Sequence, residues 1–151
     1  MSYILIGGTF DGLHKGHREF IRKAFELGDR VLLCLTSDEM AGRKPGSEKA
    51  ESYVKRKNKV EGFLREHDWL KRAEIIKIED PFSEGMRPQL TYIVVSKETR
   101  KNAEKINNMR EKSGLKPLGI IEMKWILADD GKPISDSRIR NGEIDENGKI
   151  M

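Results

Sequence analysis

Ile4-Leu5-Ile6-Gly7-Gly8-Thr9-Phe10-Asp11-Gly12-Leu13-His14-Lys15-Gly16-His17 is an apolar run that ends in a glycine-rich turn, and Phe20, Ile21, Ala24 and Phe25 then recur at helical spacing. The stretch reads as strand, tight loop, helix. The first amides of such a helix lack intrahelical partners and carry partial positive charge, so they face whatever anion sits beyond the strand end. His14 and His17 stand at that mouth. Glycines let backbone come close to a phosphate, and imidazoles add donors that are charged or neutral near physiological pH.

Working outward, Gly28 reads as a C-cap, and Arg30 to Leu35 as a second strand, which completes a parallel βαβ unit. Thr36-Ser37-Asp38-Glu39 ends it, and the loop Gly42-Arg43-Lys44-Pro45-Gly46 follows. Loops after strand ends gather at the ligand crevice of an open α/β sheet, which makes Lys44 a candidate phosphate ligand. Lys49 to His67 is expected to be a long helix with Tyr53, Val54, Val60, Phe63 and Leu64 inward, and with Lys55, Arg56, Lys57 and Lys59 on a solvated face. Glu74 to Ile78 is a third strand and Thr91 to Val95 a fourth, the latter continuously apolar as in a sheet covered on both sides. Lys97 to Lys112 follows as a helix, with Lys97 and Arg100 beside the strand end. Leu118 to Leu127 reads as a long fifth strand with Trp125 near its end, and Asp129-Asp130-Gly131 as a turn. Ser135, a second hydroxyl at Ser137, and Arg138 and Arg140 one turn on make a second anion-binding helix start. Ile144, Ile150 and Met151 are candidate docking points for a polar tail. The alternation of strand and helix gives an α/β fold, a Rossmann-like three-layer α/β/α domain over residues 1–151 with a mainly parallel five-stranded sheet.

Composition narrows the function. The chain has 151 residues, with 29 Lys+Arg against 25 Asp+Glu. That modest positive excess, interspersed with acids, suits small polyanionic ligands at least as well as nucleic acid, and the basic run at Lys55–Lys59 lacks interleaved aromatics for base stacking. No apolar run approaches ~20 residues and no secretory segment opens the chain, so a soluble cytoplasmic protein without membrane partners is expected. Cys34, the single cysteine, lies within Val31-Leu32-Leu33-Cys34-Leu35 and reads as a buried strand thiol.

Gly7 and Gly12 have P-loop spacing, but Leu13 and His14 occupy the positions of its Lys and Ser/Thr, and G-x-G-x-x-G is absent. His14-x-Gly16-His17 instead resembles the H-x-G-H signature of the nucleotidylyltransferase superfamily, and Ile134-Ser135-Asp136-Ser137-Arg138-Ile139-Arg140 resembles its second signature, I-S-S-T-x-x-R, with Asp136 a departure at the third position. With Leu35-Thr36-Ser37-Asp38 and Val94-Val95-Ser96-Lys97-Glu98-Thr99, the chain is similar to the archaeal phosphopantetheine adenylyltransferase family from about Tyr3 to Asp145. The resemblance implies the nucleotidylyltransferase fold and transfer of AMP from ATP to 4′-phosphopantetheine with Mg²⁺, giving dephospho-coenzyme A and pyrophosphate. It implies that Gly8, Thr9, Phe10, His14, Gly16, His17, Ser135, Ser137 and Arg140 bind ATP. His17, His14 and Lys44 are its catalytic set, and Thr9 and Lys44 hold the incoming phosphate. The bacterial G-L-R stretch has no counterpart, and Lys97 and Arg100 are assigned its place on the acceptor. A cytidylyl- or FMN adenylyltransferase, or a non-catalytic nucleotide- or RNA-binding module, are the competing readings.

Overall fold

A computed structural model describes residues 2–42, 50–124 and 126–151, apart from the side chains of Asp136 and Ser137. Strands β1 (Tyr3–Gly8), β2 (Arg30–Thr36), β3 (Ala73–Ile78), β4 (Tyr92–Val95) and β5 (Gly119–Glu122) form one parallel sheet in the order β3-β2-β1-β4-β5. The helices are α1 (Lys15–Leu27), α2 (Asp38–Gly42), α3 (Tyr53–Glu66), α4 (Arg100–Lys112) and α5 (Asp136–Arg140). The chain winds from β1 to β3 in one direction and resumes at β4 on the other side of β1. The switch between β1 and β4 opens a crevice at their carboxyl ends, where ligands of such sheets bind.

Successive strand residues point to opposite faces, and both faces of the central strands are covered, so β1, β2 and β4 are apolar over most of their length. Ile4, Ile6, Val31, Leu33 and Leu35 pack with Ile21, Ala24 and Phe25 of α1 and Val60, Phe63 and Leu64 of α3. Leu5, Leu32, Cys34, Ile93 and Val95 pack on the other face with Ala103 and Ile106 of α4. A third cluster, Ala128, Ile134 and Ile144, gathers the C-terminal segments outside the sheet.

Several expectations are corrected. On α3 the inward stripe is Arg56, Val60, Phe63 and Leu64, whereas Val54 is 65% exposed, so a charged residue takes the first inward position and Arg56 is not solvated. That helix begins at Tyr53 rather than Lys49, with Ser52 Oγ accepting from Lys55 N–H as its N-cap. α4 begins at Arg100 rather than Lys97, because residues 97–99 form a turn in which Thr99 Oγ1 accepts from Ser96 N–H. β5 ends at Glu122, not Leu127. It is an edge strand paired only with β4, which ends at Val95, so the ladder has no partner after Met123 N–H reaches Val95 O. Leu127 instead bridges back to Pro133. Gly28 does cap α1, but with extended backbone; a Cβ there would lie 2.3 Å from Ile4 Cγ1, so close approach to β1 demands the glycine. In the tail Ile144 is buried, whereas Ile150 and Met151 are exposed. Among the described residues no helix is long and apolar enough to cross a membrane.

Candidate active site

The turn after β1 is strained into position. Phe10 (φ 51°), Gly12 (φ 71°) and Leu13 (φ 44°) are left-handed, two of them without the freedom of glycine. The turn delivers His14 as the N-cap of α1. His14 Nδ1 accepts from His17 N–H and His17 Nδ1 accepts from His14 N–H, each at 3.3 Å, a reciprocal capping box built from two imidazoles. The rings stack with centroids 3.6 Å apart. A Cβ at Gly16 would lie 2.8 Å from His14 Cε1, so the glycine of H-x-G-H makes room for that imidazole. With Nδ1 of both rings used as acceptors, the neutral tautomers carry their hydrogen on Nε2 and offer it as a donor. Burial, helped by the charge of Arg18, lowers the His14 pKa to about 4, so at neutral pH His14 is a donor without charge.

Beneath this turn lies fully buried Arg56, which donates to the carbonyl oxygens of Thr9 (3.1 Å), Thr36 (2.9 Å) and Glu51 (2.9 Å). Beside it the Thr36 hydroxyl donates to Thr9 Oγ1 at 3.0 Å. Buried Asp11 accepts from Glu51 N–H through Oδ1 and from Arg140 Nη1 through Oδ2, both at 2.8 Å. Arg140, expected on the nucleotide phosphates, is thus also half of an ion pair that joins the two signature segments. Arg138 is engaged structurally, by Asp130, by Glu143 at 3.3 Å and by the Pro133 carbonyl at 2.9 Å. Ser135 Oγ accepts from Arg138 N–H at 3.3 Å, the expected cap.

One cleft of about 370 Å³ gathers Gly8, Thr9, Phe10, His14, Gly16 and His17 of the first segment with Ser135 of the second. Lys44 lies outside the described residues, as does the Ser137 side chain. Lys97 is exposed, and Arg100 meets Glu122 at 3.5 Å and Glu104 at 3.8 Å. From that turn it is Ser96, Glu98 and Thr99 that line the cleft. Lys124 also lines it; a fifth strand running to Leu127 would have buried it in mid-strand, and only the earlier end of β5 at Glu122 puts it past the strand end. Phe20, Met123, Ile126 and Ile134 complete an apolar wall. Arg56 was missed because a lone arginine in a basic run carries no sign of burial.

A second cavity of about 290 Å³ shares Gly7, Gly8, Glu98 and Thr99 with the first and continues between Cys34, Met40, Ile78 and Ile106. Burial pushes the Cys34 thiol up to about 12, which keeps it protonated and fits a strand thiol rather than a nucleophile.

The cytidylyltransferase-like family model matches residues 5–142. A phosphopantetheine adenylyltransferase of Methanosarcina barkeri is 39% identical over 153 residues, covering 99% of this chain and 93% of its own. That of Pyrococcus horikoshii is 45% identical over 150 residues, covering 98% and 94%. A solved structure from Archaeoglobus fulgidus, described as a protein with unknown function, superposes with a TM-score of 0.72 at 31% identity, covering 89% of this chain and 100% of the other. With both signature segments facing one cleft and the match running through nearly the whole sequence, the chain belongs to the phosphopantetheine adenylyltransferase family of cytidylyltransferase-like nucleotidyltransferases.

Proposed function

We infer that this member of the family transfers the adenylyl group of ATP to 4′-phosphopantetheine, forming dephospho-coenzyme A and pyrophosphate, in the cleft between β1 and β4. The observation that carries the reading is the convergence of His14, His17, Thr9 and Ser135 on that one cleft. An oxygen of the acceptor phosphate attacks the α-phosphorus of ATP in line, and the bond from that phosphorus to the β-bridging oxygen breaks. A phosphate monoester is already ionised near neutral pH, so no general base is required. Catalysis is positioning plus stabilisation of charge.

In this reading the Nε2 donors of His14 and His17 meet the nucleotide phosphates, with His17 at the crowded α-phosphorus. Gly8, Phe10 and Gly16 give the backbone its close approach. Thr9 and Lys44 hold the attacking phosphate, and Ser135, Ser137 and Arg140 hold the departing pyrophosphate. Lys97 and Arg100 keep a place only at the acceptor end, and Arg100 would have to leave Glu122 and Glu104 to take it. The second cavity, which opens from the first at Gly7 and Gly8, suits the arm of the acceptor. Mg²⁺ would arrive with the triphosphate, and Glu98 is the carboxylate on the cleft wall that would face it. The ion would neutralise charge on the leaving pyrophosphate.

The test offers purified protein and Mg²⁺ with ATP or CTP against 4′-phosphopantetheine, glycerol 3-phosphate and FMN, and follows pyrophosphate. Turnover is expected with ATP and 4′-phosphopantetheine. Preference for another acceptor would overturn the acceptor assignment, and no pyrophosphate with any pair would favour a binding module.

A further inference from the structure

Arginine has five N–H donors and no acceptor, so each hydrogen bond made by Arg56 has a fixed direction. Besides its bonds to carbonyl oxygens, Arg56 Nη1 donates to Thr36 Oγ1 at 3.3 Å, and Nη2 donates to Asp38 Oδ1 at 3.2 Å. Thr36 is itself buried. Its hydroxyl oxygen accepts from the guanidinium and its own hydrogen goes to Thr9 Oγ1, 3.0 Å away. Thr9 Oγ1 is thereby occupied as an acceptor on the Thr36 side. Its own hydrogen is then not directed at Thr36, and Thr9 lines the cleft.

A phosphate dianion has only acceptors. A threonine hydroxyl is a rotor that can turn either its hydrogen or its lone pairs to that anion, and only the first orientation is attractive. We propose that Arg56 and Thr36 are positioning residues for the transfer reaction, a relay from Arg56 through Thr36 to Thr9 that fixes the Thr9 hydroxyl as a donor toward the incoming phosphate. Because Arg56 also holds the Thr9 carbonyl, both the backbone and the hydroxyl of that residue are set before the acceptor arrives. The inference deepens the function proposed above and rests on its assignment of Thr9 to the acceptor phosphate.

The test is steady-state pyrophosphate release with ATP, Mg²⁺ and 4′-phosphopantetheine. Thr36→Val removes the hydroxyl and keeps a branched side chain. It is expected to raise KM for the acceptor roughly five- to tenfold and KM for ATP by less than about twofold, and Thr36→Ser should bring the acceptor KM back to within about twofold of the parent. If Thr36 acts through Thr9, the double variant Thr9→Val/Thr36→Val is no weaker than Thr9→Val alone. Arg56→Lys keeps the charge but loses the fork, and should move the acceptor KM in the same direction. Should its thermal melt report an unfolded chain, the Thr36 series decides. An unchanged acceptor KM in Thr36→Val, equal losses for both substrates, a Ser variant as impaired as Val, or additive losses in the double variant would each overturn the relay. A parent protein that releases no pyrophosphate with this acceptor would overturn the function proposed above and the relay with it. An active parent matched by Thr36→Val sinks the relay alone.

Discussion

Residues 8–17 stand on the main core, whereas residues 126–140 stand on a small one of their own. The first turn has β1 behind it, Arg56 beneath it, and Phe10 and Leu13 packed among the residues of the sheet and α3. The second continues no strand and rests on Ala128, Ile134 and Ile144, with Arg138 tying its backbone together. The two are joined by the Asp11–Arg140 pair, and the tail adds a bond from Lys15 N–H to Glu146 O at 2.8 Å. Adenylyl transfer places different demands on its two ends. The attacking phosphate, the α-phosphorus and their donors must be held within a fraction of an ångström, while the pyrophosphate has to be gripped and then let go. In the assignment proposed above, the residues nearest the bond change stand on the larger of the two cores.

The comparison breaks most visibly at His17. His17→Ala is expected to lower turnover by roughly a hundred- to a thousandfold while ATP affinity changes less than about threefold, as when a donor used chiefly in the transition state is lost. Single-turnover kinetics with nucleotide binding measured by calorimetry separates the two. Equal losses of turnover and affinity would make the first turn a gripping site like the second.

Acid should distinguish the turns next. His14, at an ordinary 6.5 when unfolded, sits at about 4 in the folded protein because it is buried. Between those values the unfolded chain takes up a proton that the folded one refuses, so stability rises with pH across that window. The contribution is complete above about 6.5 and has cost roughly 3 kcal/mol by pH 4. Urea unfolding across this range should show the slope, and His14→Gln should remove that part of it. A slope unchanged in the variant would place the proton uptake elsewhere.

The same division explains what was legible in the sequence. β1, its turn and α1 could be read because apolar period, glycine placement and the imidazole pair agree on one local structure. Ser135 could be read as a cap for the same reason. What escaped depends on partners distant in the chain. Arg56 looks like its neighbours Lys55 and Lys57 until α3 is laid on β1 and β2, and only then are the carbonyls of Thr9 and Thr36 within its reach. The end of β5 is set by the length of β4, not by its own apolar residues, which continue to Leu127. Arg140 carries the signature of a phosphate ligand, and nothing near it in sequence announces Asp11, 129 residues away.

That pair is where the two turns can be uncoupled, with the smallest effect expected. The Asp11 side chain is 8% exposed and that of Arg140 25%, so the pair is screened only in part and its coupling should be about 1–2 kcal/mol. One Nη1 donor of Arg140 goes to Asp11 at 2.8 Å, a bond that sets the direction of a planar fork with further donors. If Arg140 holds the terminal phosphates as proposed above, Asp11 acts as its orienter rather than its competitor for phosphate. Asp11→Asn and Arg140→Gln should each weaken ATP binding roughly three- to tenfold, and the double variant should be no weaker than the worse single one. AMP, which lacks the terminal phosphates, should bind nearly as before to all three, as read by calorimetry. Tighter ATP binding by Asp11→Asn would mean that Arg140 has to leave Asp11 to reach the phosphates. Equal weakening for AMP would mean that the pair serves the first turn rather than the second.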